Sequence, residues 1–110
     1  MASGTIKNPI EYTNDSAAIT TSHTIKAVRV ARIGRIYIAN ITVQVTSNVN
    51  AWSTILTLNN VTLPESQYVY GNVNGESAAL FYIGRAGDFS CTTALQNSAT
   101  IKIAIPLVLN

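Results

Sequence analysis

The stretch Ile36-Tyr37-Ile38-Ala39-Asn40-Ile41-Thr42-Val43-Gln44-Val45-Thr46 decides the fold class. Tyr37, Ala39, Ile41, Val43 and Val45 share one parity, while Asn40, Thr42, Gln44 and Thr46 share the other. A period of two is the signature of a strand with one face on a core and the other in water. The C-terminal stretch repeats it, with Ile101, Ile103, Ile105, Leu107 and Leu109 in strict alternation over residues 100–109. Between these two stretches the strand signals come at short spacing. Residues 52–58, 66–73, 76–83 and 89–95 each read as a strand, and residues 23–33 precede the long one. The separators are turn formers: Gly34-Arg35, the polar Ser47-Asn48-Val49-Asn50, Asn59-Asn60, Asn74-Gly75, the run Gly84 to Asp88, and Gln96-Asn97-Ser98. Asn74-Gly75 is a strong type I′ hairpin signal, because both central positions of that turn need positive φ. The expectation is an all-β fold, an antiparallel, jelly-roll-like β-sandwich of about seven strands over residues 23–110. In residues 1–22 the isoleucines Ile6, Ile10 and Ile19 are scattered, and the stretch reads as an extended N-terminal arm or linker.

Composition agrees with a β fold and excludes several classes. Charged residues make up 11% of the 110 positions, against about 25% in ordinary globular domains. Asn, Ser and Thr take their place, and Ile, Val and Thr outnumber the strong helix formers. Such a chain is neither disordered nor a helical bundle. A lone cysteine, Cys91, excludes a disulfide scaffold. No apolar run approaches the length of a membrane span, and residues 1–22 have no apolar core of a secretion signal. A net charge of +2 does not single out nucleic acid or a membrane surface as partner. Lys26, Arg29, Arg32 and Arg35 do fall at steps of three. A short basic helix would explain that spacing, but the β-branched Val28, Val30 and Ile33 favour a strand. Ile25 and Ala27 share one parity and Val28 and Val30 the other, the phase change that a β-bulge produces.

Little here points to catalysis. The single histidine, His23, stands where the arm meets the domain, and reads as a surface or interface residue. Cys91 lies inside a strand with no visible base, and reads as a small buried hydrophobe. Neither supports a metal site. The acids Glu65, Glu76 and Asp88 each sit beside a turn and read as solvated charges. The glycosylation patterns Asn14-Asp15-Ser16, Asn40-Ile41-Thr42 and Asn60-Val61-Thr62 read as chance. No enzyme, cofactor or metal is expected. What remains is recognition by loops on a rigid sandwich. Saccharides want an aromatic face for ring C–H groups and planar amides or carboxylates for hydroxyls. The candidate ligand-binding residues are Trp52 with Asn48 and Asn50, Tyr70 with Asn72 and Asn74, and the loop groups Glu76, Arg85 and Asp88. A plainer reading stands beside each: Trp52 as a core residue, the asparagines as turn formers.

The run Val30-Ala31-Arg32-Ile33-Gly34-Arg35-Ile36-Tyr37-Ile38 resembles a short hairpin near the start of C-terminal domains of bacteriophage tail-fibre and baseplate receptor-binding proteins. Ile55-Leu56-Thr57-Leu58 running to Leu63-Pro64 is similar to the next landmark of that family, and residues 68–73, 79–83 and the terminal apolar strand keep its order. The chain departs from the family after Leu63-Pro64, where Glu65-Ser66-Gln67-Tyr68 replaces a frequent Gly-Tyr-x-Pro. The resemblance implies a homotrimer in the virion, at a phage tail, acting at the host cell surface. Its implied partners are host cell-surface polysaccharide and other tail or baseplate proteins, with no nucleic acid and no membrane insertion. It equally admits a purely structural module of the particle, a baseplate or fibre adaptor or a capsid decoration protein with no small ligand.

Overall fold

The computed structural model describes residues 10–13 and 17–110. Residues 1–9 and 14–16 of the expected arm, with the pattern Asn14-Asp15-Ser16, lie outside the described residues. Nine strands form: β1 (Glu11–Thr13), β2 (Ile19–Thr20), β3 (Thr24–Ile33), β4 (Ile36–Gln44), β5 (Thr54–Leu58), β6 (Gln67–Val73), β7 (Glu76–Ile83), β8 (Asp88–Cys91) and β9 (Thr100–Val108). Among the described residues there is no helix. Strands β3 to β9 correspond to the seven expected ones, except that β5 begins at Thr54 with Trp52 in the preceding turn and β8 ends at Cys91 rather than Leu95, and β1 and β2 add two short ones from the arm. Two- and three-residue strands carry too little alternation to be seen in advance.

All nine strands belong to one antiparallel sheet in the order β1-β3-β4-β9-β6-β7-β8-β5-β2, curled into a half-barrel. In place of the two separate sheets of the expected sandwich, one continuous sheet forms two limbs. Strand β6 joins them. Gly71, Asn72 and Val73 pair with Ile103, Lys102 and Ile101 of β9, whereas Gln67 to Gly71 pair with β7. Gly71 stands at this crossing for a steric reason. A Cβ there would lie 3.0 Å from the Phe81 ring and 3.1 Å from the Lys102 carbonyl oxygen.

The core lies in the concave side. Direct cross-strand partners share a face, so Ala39 with Ile105, Ile41 with Ile103 and Val43 with Ile101 form one buried wall. Phe81, Ile83, Phe89, Leu56, Leu58 and Ile19 form the facing wall, with Phe81 and Phe89 stacked at 5.0 Å. Each large aliphatic or aromatic side chain so buried contributes about 1.5–3 kcal/mol. Ala18 and Ile19 of the arm are buried in this core, and β1 pairs with β3.

The phase change read in residues 25–30 is a bulge. Register shifts between Ile25 and Ala27, leaving Lys26 unpaired. Ile25 thus keeps contact with the core while Val28 and Val30 also turn inward. The four bases consequently divide. Lys26 and Arg29 are exposed, whereas Arg32 crosses to the far limb and donates to the Asn60 carbonyl at 3.1 Å. Arg35, in the turn after β3, donates to the Leu109 carbonyl at 3.0 Å. Asn74 (φ 53°) and Gly75 (φ 82°) adopt the left-handed pair that a type I′ turn requires.

Tyr37 carries the one buried side-chain polar atom among the described residues without a hydrogen-bond partner, its hydroxyl. Burial pushes its pKa from 10.0 up to about 12, with the Arg32 guanidinium pulling the other way. A buried unsatisfied hydroxyl costs roughly 1–3 kcal/mol. Tyr37→Phe is therefore expected to raise the unfolding free energy by about 1 kcal/mol at pH 7. The same phenol makes stability fall at high pH. It ionises near pH 10 in the unfolded chain and near 12 in the fold, so the native protein is fully favoured below pH 10 and loses ground as pH rises to about 12. The loss amounts to about 3 kcal/mol at most. Urea melts at pH 8, 10 and 11.5 check this. The gap between variant and wild type should widen with pH, and an unchanged gap would remove the phenol as its cause.

Candidate functional site

Trp52 lies in the turn after the isolated bridge of Val49 with Leu95, just before β5. Its backbone N–H donates to the Cys91 carbonyl at 2.8 Å, which ties the turn to the end of β8. Its φ is 66°, in the left-handed region where a bulky side chain is a genuine outlier. The indole is not a core residue, being 55% exposed. It stands edge-on to Tyr82 at 5.8 Å between ring centroids and to Tyr68 at 6.4 Å, and those two tyrosines meet at 5.4 Å.

Strand register explains the meeting. Tyr68 on β6 is the direct partner of Tyr82 on β7, and Tyr82 of Ser90 on β8. Tyr68 and Tyr82 face outward, because their neighbours Val69 and Phe81 face the core. Tyr70 continues the outward row of β6 and is 69% exposed. The result is an aromatic platform on the convex side, built by Trp52, Tyr68 and Tyr82 and extended along β6 by Tyr70. Successive outward residues on a strand are about 7 Å apart, so the row from Tyr68 to Asn72 runs about 13 Å.

Of the candidate ligand residues, Trp52 and Tyr70 thus share one face, with Asn72 next along it. The others have local duties. The Asn48 side-chain oxygen accepts the Asn97 N–H at 2.8 Å and clips two loops together. The Asn50 carbonyl accepts the Ser53 N–H at 3.2 Å within the Trp52 turn. The Asn74 side-chain oxygen accepts the Thr100 N–H at 2.9 Å. Glu76 is exposed and borders a shallow depression with Thr92 and Thr93. Arg85 donates to the Leu63 carbonyl at 3.4 Å, and the Asp88 carboxylate packs over Gly84. Tyr68 and Tyr82, absent from the candidate set, prove central to the platform. Counting simple register back from Asn74-Gly75 sets Tyr68 opposite Phe81, so the sequence around that turn did not announce their pairing.

His23 and Cys91 also have structural places. His23 Nδ1 accepts the Thr46 N–H at 3.1 Å, joining the start of β3 to the end of β4. Cys91 is buried and lies 3.9 Å from the Leu80 carbonyl. No protein-family profile matches the chain, and a search of curated proteins finds no relative of it.

Proposed function

We propose that the chain is a host-recognition module of a bacteriophage tail fibre or baseplate, a jelly-roll-like domain that reads a cell-surface saccharide as a homotrimer. The aromatic platform is the ligand surface. The observation that carries this reading is Trp52: a large ring in a left-handed backbone conformation, half in solvent, held edge-on to two tyrosines. Such a conformation costs on the order of 1–3 kcal/mol, and strain of that kind gathers at binding sites. The exposed ring gives the fold little in return. It gives a saccharide a flat apolar face, and the three phenols beside it supply hydroxyls to bond sugar hydroxyls.

Titration of the trimer with bacterial wall polysaccharides, preceded by a glycan array, tests the reading. Trp52→Ala and Tyr68→Ala are each expected to weaken binding about tenfold, the worth of one stacked ring at roughly 1.4 kcal/mol. Assembly and circular dichroism should not change. Trp52→Gly should bind equally poorly yet be about 1 kcal/mol more stable than Trp52→Ala, because glycine does not strain at positive φ. Unaltered affinity in both Trp52→Ala and Tyr68→Ala would end the assignment.

A structural module without a small ligand is the second reading. It is favoured by a separate surface, the apolar end of the convex face. There Tyr12, Ala31, Ile38 and Pro106 form one cross-strand row and Ile33, Ile36 and Val108 the next. Tyr12, Ile33, Ile36, Ile38 and Val108 are all exposed. Both readings use this surface as the contact between copies of the chain.

A further inference from the structure

We infer that a groove on the convex face, running across β3, β4, β9 and β6, binds an anionic chain, a saccharide bearing phosphate or carboxylate groups. The inference rests on the saccharide-reader proposal and assigns a second subsite with a definite charge preference.

The groove follows from two neighbouring cross-strand rows. Arg29, Asn40 and Ala104 make one, and Ala27, Thr42, Lys102 and Asn72 make the other. The long cationic residues stand at diagonal positions, and the small Ala27 and Ala104 stand at the opposite corners. Two alanines beside two long side chains leave a depression of about 640 Å3, within the size range of ligand sites. Asn40, Thr42 and Asn72 place amide and hydroxyl groups between the charges.

Charge singles this place out. Arg32, Arg35 and Arg85 are each occupied by a backbone carbonyl. Arg29 and Lys102 have no hydrogen-bond or ion-pair partner among the described residues, and no carboxylate lines the groove. Lys26, unpaired in the bulge beside Ala27, adds a third exposed cation to that side. Like charges held together on a chain with so few charges raise the local positive potential. Strand spacing sets the Arg29 and Lys102 backbones about 12 Å apart, two strands across and one row along. That separation fits successive charges on a chain better than a single small anion. The groove has no aromatic ring on which a base could stack, which sets it apart from a single-stranded nucleic-acid channel. Through Asn72 and Tyr70 on β6 it runs on to the aromatic platform, so one glycan can lie across both.

The test uses the full chain and four probes: hexagalacturonate, a linear polyphosphate of similar length, a neutral dextran hexamer and a dT12 oligonucleotide. Affinity is followed by calorimetry and by backbone amide shifts. At least one of the two anions should bind, with shifts centred on Asn40, Thr42, Asn72 and Lys102, and the tighter of them names the anionic group. Binding should weaken at least fivefold between 50 and 300 mM salt. Dextran should leave the groove amides unmoved. Arg29→Gln with Lys102→Gln should reduce anion affinity at least tenfold, while Lys102→Arg retains it. Trp52→Ala should leave the groove amide shifts in place and polyphosphate, which has no sugar ring to lay on the indole, bound as in wild type, so failure of the platform and failure of the groove are read separately. The inference is overturned if neither anion shifts these amides, if the double glutamine variant binds as wild type, or if dT12 binds as tightly as hexagalacturonate.

Discussion

Replacing Phe81 with alanine will lower the unfolding free energy by about 4 kcal/mol, within the range for deleting a buried phenyl ring. Phe81 is fully buried, stacks on Phe89 and lies directly across the sheet from Val69 and Cys91. Its ring also fills the space that Gly71 leaves open at the crossing of β6 between the two limbs. Removing it takes away transfer energy and opens a cavity at that crossing. Strands paired on both sides cannot collapse far into such a space, so the cavity cost stays high. Guanidinium melts followed by circular dichroism measure the change, and a loss below about 1.5 kcal/mol would show that the site relaxes freely. A second substitution isolates the ring-to-glycine contact. Gly71→Ala should be destabilising alone and cost less in the Phe81→Ala background, since one of its two close contacts is gone. The Lys102 carbonyl remains 3.1 Å from the added Cβ, so the relief will be incomplete.

The same crossing shows how far the sequence could be read. Strong alternation in residues 36–46 and 101–109 marks strands whose faces are unambiguous, and both appear with the expected side inward. Asn74-Gly75 located the β6–β7 hairpin and its turn type. Extending that turn in simple register would set Tyr68 opposite Phe81. The structure instead pairs Tyr68 with Tyr82, because a bulge between Gly71 and Val73 slips the register by one. A one-residue slip turns every side chain over. The bulge is thus what puts Phe81 in the core and two tyrosines together outside. A glycine within a strand hints at such a feature but does not give its size. The bulge near Ile25 was legible because β-branched residues mark both phases around it. Trp52 is the opposite case. Nothing in local propensity places a tryptophan at positive φ, so the platform emerged only from tertiary pairing. Asn48 and Asn74 took up the turn-forming role that was their plainer reading. The groove between Arg29 and Lys102 was out of reach for a simpler reason. Its two cations come from strands far apart in sequence, and nothing local announces that β4 brings them to neighbouring rows.

If the chain assembles as the proposed homotrimer, Ile38→Glu will convert it to monomer while leaving the protomer folded. Ile38 lies at the middle of the apolar row that runs from Tyr12 through Ala31 to Pro106. Ile10, Tyr12, Ile33, Ile36, Ile38 and Val108 are each between 38% and 68% exposed. Exposed apolar side chains set on neighbouring cross-strand rows mark an interaction surface more often than isolated ones do. A stable interface needs about 800 Å2 from each partner, and this patch would form part of one. None of these residues is charged, as befits the desolvated centre of an interface. A carboxylate placed there stays hydrated in the monomer but must be desolvated, without a partner, in every contact of the assembly. Removing a buried charge's partners costs about 3–5 kcal/mol, and a closed ring of copies incurs a cost of that kind at each contact. The protomer itself loses little, because Ile38 faces away from the core and half of its surface is already in water. Light scattering with circular dichroism decides the matter. Ile38→Ser, which removes the same apolar area without a charge, should weaken assembly by a smaller step. Retention of the full oligomer by Ile38→Glu would move the contact between copies to another face and leave this one to a different partner. A wild-type protein that is itself monomeric at micromolar concentration would remove the homotrimer from the proposed function, while leaving the aromatic platform to be judged on its own titration.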